Sequence, residues 1–129
     1  KFEDFKLQPI LSPTDIIEAQ EIVKKIECDQ KINQYIIKVI DATRRPENYG
    51  IEKGKYVDYG ASPRSSISLF IASKAHALLK HRTFVTQQDV KDVAHKVLRH
   101  RLLINFEGEA ENIKSEDVID EILKKVPIL

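Results

Sequence analysis

The stretch SPRSSISLFIASKAHALLKHRTFVTQQDVKDVAHKVL, Ser62–Leu98, decides the fold. Ser62 is an N-cap residue type and Pro63 suits the first helical position, so a helix is predicted from Ser62. Its apolar side chains, Ile67, Phe70, Ile71, Ala75, Leu78 and Leu79, are expected in the core. RTFVT, with apolar Phe84 and Val85, reads as a brief extended link. Thr86 followed by Asp89 resembles a capping box with Asp in place of Glu. The helix it opens buries Val90, Val93, Ala94, Val97 and Leu98.

One residue in this stretch has the wrong sign for its position. Arg64 stands in the first turn, where the positive end of the helix dipole and unpaired N–H groups favour acidic residues. Two readings are open. A guanidinium at a helix N-terminus can add a bidentate arm for a phosphate, with Gly60 and Ala61 keeping the approach open. Alternatively, Arg64 points to solvent or pairs with Asp58 or a nearby Glu.

On the N-terminal side, Ser12, Pro13 and Asp15 announce a helix with an apolar stripe of Ile16, Ala19, Ile22, Val23 and Ile26. Asp29 caps a second helix with Ile32, Tyr35, Ile36, Val39 and Ile40 on one face. That helix should end near Thr43 to Arg45, because Pro46 disfavours helix in the residue before it. RRPENYGIEKGKYVDYGA forms one long irregular stretch within which KYVDY makes a short strand; so long a loop is usually functional or mobile. On the C-terminal side, Ser115 is expected to cap a last helix carrying Val118, Ile119, Ile122 and Leu123, stopped by Pro127. The expectation is an all-α bundle of about five helices with at most two short strands.

Composition narrows the function. The 129 residues suit one compact domain, with 42% hydrophobic and 32% charged residues. Twenty-one Lys and Arg against twenty Asp and Glu leave a formal charge of +1, so any anion site must be local. The single Cys28 excludes an intramolecular disulfide and points to a reducing compartment. No apolar run approaches the roughly 18–20 residues of a membrane span. The opening KFEDFKLQPIL, without an initiator Met, reads as mid-chain sequence.

Other candidate sites are weaker. His76/His81 and His95/His100 are each five apart, which splays them around a helix instead of offering the i, i+4 spacing of a metal site. No Cys cluster or acidic partner is evident for them, and no metal is expected. HKVLRHR, His95–Arg101, is a basic cluster at a helix end, where cations complement the dipole; its functional reading is contact with phosphate or an acidic partner. Arg44 and Arg45 have the same two readings. No G-x-S-x-G, H-E-x-x-H or G-x-x-x-x-G-K-[ST] occurs, Ser65 and Ser66 have no evident base, and Glu107 and Glu109 read as solvated.

The run YGASPRSSISLFIASKAHALLKHRTFVTQQDVKDVAHKVLRHRL resembles the C-terminal helical lid of MoxR-type AAA+ ATPases. PILSPTDIIEAQEIVKKIECDQKINQYIIKVIDATR is similar to the start of that lid, and SEDVIDEILKKVP to its closing helix, so the resemblance covers roughly residues 9 to 127. It implies that residues 1–11 connect from an ATPase α/β domain and that residues 12–129 form the lid. It also implies that Arg64 is the second-sensor arginine that reaches the γ-phosphate of ATP, with Gly60, Ala61, Ser62 and Pro63 shaping the turn that presents it. ATP and Mg would be held mainly by the α/β domain. The implied partners are that domain, a ring (usually hexameric) of identical chains and a client protein; the implied setting is cytoplasmic and chaperone-like. The sequence departs from the family at His81, where Gly is common, and in RPENYGIEKGKYV, which is longer than in many relatives.

The helix–link–helix of residues 62–98 also looks like half of a histone fold. That gives the alternative of a stand-alone helical interaction or nucleic-acid-binding module. A histone reading predicts a strongly basic chain, and the charge balance counts against it.

Overall fold

The computed structural model describes residues 4–128; the first three residues of the expected connecting segment and Leu129 lie outside the described residues. Six α-helices and two short strands follow one another: α1 Pro13–Lys25, α2 Gln30–Arg44, β1 Val57–Tyr59, α3 Arg64–Leu79, α4 Gln87–Leu98, β2 Leu103–Ile104, α5 Phe106–Ala110 and α6 Ser115–Lys125. The all-α expectation holds. α5, a five-residue helix capped by the Asn105 side chain on Gly108 N–H at 2.9 Å, is an addition to it.

The capping signals act as read. Ser12 and Asp15 form a reciprocal capping box on α1, and Thr86 and Asp89 form one on α4. Asp29 caps α2 by accepting from Lys31 N–H at 2.9 Å. At α6 the expectation is corrected. Ser115 is the first helical residue; Asp117 accepts from the Lys114 N–H at 2.8 Å, while the Ser115 hydroxyl donates to the Arg99 carbonyl at 2.8 Å.

The core lies where α2, α4 and α6 meet, with Tyr35, Val39, Val90, Leu98, Val118, Ile119 and Ile122 almost wholly enclosed. The expected face of α3 is corrected. Its bulky Ile67, Ile71 and Leu79 are 60%, 54% and 77% exposed, and the side it buries is Ser65, Leu69, Ser73 and Ala77. Those four recur every fourth residue and three of them are small, which lets α3 lie close to α4, its most extensive neighbour. α1 leaves Ile16, Ile17 and Ile22 exposed, and its buried anchor is Ile26 just past its end. Lys74 of α3 ties it down by donating from Nζ to the Lys24 carbonyl at 2.8 Å.

The long irregular stretch is compact. It folds into two 3₁₀ turns, Pro46–Tyr49 and Glu52–Tyr56, and leads into β1, which pairs antiparallel with β2 through Val57↔Ile104 and Tyr59↔Leu103. Glu121 of α6 accepts from the Glu52 and Lys53 N–H groups at 2.8 and 3.0 Å, holding the second turn in place. The RTFVT link joins the chain after α1 through the bridge Glu27↔Phe84.

Candidate functional site at the α3 N-terminus

α3 begins one residue later than expected, at Arg64, and the Ser62 side chain makes no capping hydrogen bond. The first turn is closed by the backbone: Ser65 N–H donates to the Ser62 carbonyl at 2.8 Å and Ser66 N–H to the Pro63 carbonyl at 3.1 Å. The Ser66 hydroxyl also donates to the Pro63 carbonyl, at 2.6 Å. Two first-turn N–H groups are therefore already used. The strongest anion-seeking group left is the Arg64 guanidinium.

Arg64 is exposed, and among the described residues it makes no hydrogen bond or ion pair. Asp58 does not pair with it, and the first turn of α3 carries no acidic residue. The residues before it fix the turn. Gly60 lies against the end of α2, where a Cβ would collide with the Thr43 carbonyl and lie 2.9 Å from the Arg44 nitrogen. Ala61 is fully buried, and its N–H donates to the Thr43 hydroxyl at 3.0 Å. The small side chains of Gly60 and Ala61 thus permit close approach to α2. Ser62 and Pro63 remain exposed.

Thr43 is the supporting residue that sequence reasoning missed. It sits 18 positions before Ala61, its hydroxyl donates to the Ile40 carbonyl at 2.7 Å, and it is buried. The two small residues at 60 and 61 were the only local hint of a close approach. Beside the turn, Arg44, Arg45, Asp41, Pro63 and Ser66 line a shallow depression of about 220 Å³. Arg45 is paired with Asp41 at 3.5 Å, whereas Arg44 reaches the Ala61 carbonyl at 3.5 Å.

Two of the four histidines do have acidic partners, which corrects the sequence reading for them. His76 lies 3.1 Å from Asp92, and His95 lies 2.8 Å from Asp120. These are separate pairs; among the described residues no group of three or more His, Cys, Asp or Glu comes together to hold a metal ion. The basic cluster 95–101 is likewise divided, with His95 on Asp120 and Arg101 turned towards Ser65. Among the described residues no helix is long and apolar enough to cross a membrane.

Between α3 and α4, His81 takes the left-handed conformation, with φ 58°. The His81 N–H donates to the Leu78 carbonyl at 2.9 Å and the Arg82 N–H to the Ala77 carbonyl at 3.0 Å, which closes the helix as a Schellman motif. Arg82 then grips Asp89 with both Nη atoms, at 2.7 and 2.5 Å. Burial pushes the Asp89 carboxyl up, but hydrogen bonds from Arg82 and Thr86 outweigh it and hold the group at about 2. This clip fixes the far end of α3 relative to α4.

The described residues form six helices and a small antiparallel pair, the architecture of a helical lid. The model of the AAA lid domain family matches residues 53–122, more than half of the 129, and the chain belongs to that family. Among the proteins it is similar to are two named MoxR. It is 38% identical to chaperone MoxR1 of Mycobacterium tuberculosis, over 92% of this chain and 32% of that protein. It is 27% identical to protein MoxR of Methylorubrum extorquens, over 84% of this chain and 34% of that protein. The crystal structure of a protein from Cytophaga hutchinsonii, described as an ATPase, superposes with a TM-score of 0.89 at 39% identity, over 95% of this chain and 37% of that one. The chain spans about a third of the length of the curated relatives it matches.

Proposed function

We propose that the chain is the nucleotide-sensing lid of a cytoplasmic MoxR-type AAA+ ATPase, with Arg64 as its second-sensor arginine. The observation that carries this reading is an exposed arginine, without a partner among the described residues, at the positive end of a sixteen-residue helix. The Gly60–Thr43 and Ala61–Thr43 contacts fix the backbone that leads into Arg64, and the described residues leave its guanidinium charge unmatched. A γ-phosphate supplies the matching charge and the bidentate geometry.

In this reading residues 12–129 are the lid and residues 1–11 lead in from an ATPase α/β domain. ATP binds that domain, which also holds Mg and supplies the phosphoryl-transfer chemistry. This chain's part is to orient Arg64 on the terminal phosphate, with Gly60, Ala61, Ser62 and Pro63 presenting it, and to change angle when that contact is lost. Arg64 heads a stripe of α3 that continues through exposed Ile67 and Ile71, an apolar surface suited to a folded domain. The lid movement would drive chaperone-like remodelling of client proteins by a homo-oligomeric ring, such as a hexamer.

The test is ATP turnover by the longer protein that carries this lid. Arg64→Ala should lower turnover about tenfold or more, in line with loss of a charge-stabilising arginine. Turnover equal to that of the unsubstituted protein would refute the assignment.

A further inference from the structure

Two more arginines close on the turn that carries Arg64. Arg44 comes from the end of α2, and its Nη1 donates to the Ala61 carbonyl at 3.5 Å. Arg101 comes from the chain just before β2, where the pairing Tyr59↔Leu103 brings that segment alongside the turn. Its Nη1 donates to the hydroxyl of the fully buried Ser65 at 3.3 Å, and its Nε is buried with no hydrogen-bond partner among the described residues.

None of these three guanidiniums has a carboxylate partner among the described residues, although other arginines do. Arg45 takes Asp41, and Arg82 takes Asp89. Asp41, the acidic residue of the adjoining depression, is committed to Arg45 and to the Tyr49 hydroxyl at 3.0 Å. Three like charges and the positive end of α3 thus lie around residues 60–66, with no carboxylate among the described residues paired to any of the three. A carboxylate is matched by one bidentate guanidinium, whereas phosphate groups carry more charge and more oxygens than one guanidinium engages. Three around one turn match a chain of phosphates.

We propose that Arg44 and Arg101 share with Arg64 the polyphosphate of a nucleoside triphosphate. Arg44 is a second ligand, and Arg101 is a positioning residue that sets the first turn of α3 through Ser65 while adding its charge. The inference rests on the reading of Arg64 as the phosphate-sensing arginine, and it makes the site a cluster drawn from three separate segments.

The experiment uses the 129-residue chain at low salt, titrated with inorganic tripolyphosphate and separately with ATP, and followed through the amide resonances of residues 61–66. Binding of both ligands at these amides, with AMP much weaker, is the expected result for the unsubstituted chain. Arg64→Gln, Arg44→Gln and Arg101→Gln should each weaken it about three- to tenfold and reduce its salt dependence, whereas Arg99→Gln on the exposed neighbouring position should not. A merely structural role of Arg101 would lower Tm and leave the salt dependence of the folded chain unchanged, which would contradict its part. Arg44→Gln and Arg101→Gln that both bind like Arg99→Gln overturn the proposal while leaving Arg64 in place if Arg64→Gln still weakens binding. Arg64→Gln without effect, beside weakened Arg44 and Arg101 variants, would instead strike the second-sensor reading and keep the anion cluster. Shifts spread over the whole surface overturn both. If Arg101→Gln no longer folds, Arg44→Gln decides: unchanged affinity there overturns the proposal.

Discussion

Gly60 lies directly against Thr43, so close that any β-carbon at position 60 would run into the Thr43 carbonyl group. This contact, together with the Ala61 N–H on the Thr43 hydroxyl, makes the start of α3 a rigid extension of the end of α2. The arginine that follows is therefore placed by Thr43 of α2 together with the Gly60–Ala61 link that precedes α3.

Gly60→Ala should destabilise the chain by about 1–3 kcal/mol, the usual cost of overpacking where the obstacle is backbone. Denaturant unfolding of the chain measures it. A loss under half a kilocalorie would mean that the turn yields freely.

Asp89 ties stability to acidity. Its carboxyl is held at about 2, against 3.8 when unperturbed, so its charged form favours the folded state. The contribution, about 2 kcal/mol, is complete above the unfolded value of 3.8 and disappears as pH falls through about 2. Asp89→Asn should cost about 2–4 kcal/mol at neutral pH and flatten the loss of stability between pH 4 and pH 2. Thermal melts across that range decide the matter; an unchanged acid limb in Asp89→Asn would exclude the clip as its source.

The two sides of α3 should answer oppositely to substitution. Leu69→Ala removes an enclosed side chain and should cost about 2–5 kcal/mol. Ile67→Ser and Ile71→Ser, both on the exposed side, should stay within about 0.5 kcal/mol in the isolated chain. Comparable losses at all three positions would place the bulky face in the core after all.

His81 carries the cost of a left-handed backbone, φ 58°, that glycine adopts freely. His81→Gly should raise stability by about 0.5 kcal/mol or more, the relief of strain outweighing the added freedom of the unfolded chain. A lower Tm in that variant would show that the imidazole makes a compensating contact.

Four of the six helices announce themselves through local chemistry: Ser12 with Asp15, Asp29, Thr86 with Asp89, and the apolar spacing of Val118 to Leu123. Each of these signals acts within one turn, so no tertiary information was needed. α3 is harder because apolar residues lie all round it. Its buried side is chosen by α4, which accepts the small Ser65, Ser73 and Ala77 and leaves Ile67 and Ile71 outside. α5 is too short to have a period, and its glycine, Gly108, reads as loop. The odd sign of Arg64 was legible in the sequence. Its lack of a partner was not, because Asp58 stands only six residues away and only the folded turn keeps the two apart. Arg44 and Arg101 are 20 and 37 positions from Arg64, beyond the reach of any local pattern.

The central claim is that Arg64 couples nucleotide state to lid position, and the distance from lid to ATPase domain reports it most directly. In the longer protein, a spin label at Lys96→Cys in a Cys28→Ala background, paired with one on the ATPase domain, should give different distances with an ATP analogue and with ADP. Arg64→Ala should collapse the two onto the ADP distance. Two distances that persist unchanged in Arg64→Ala would contradict the account.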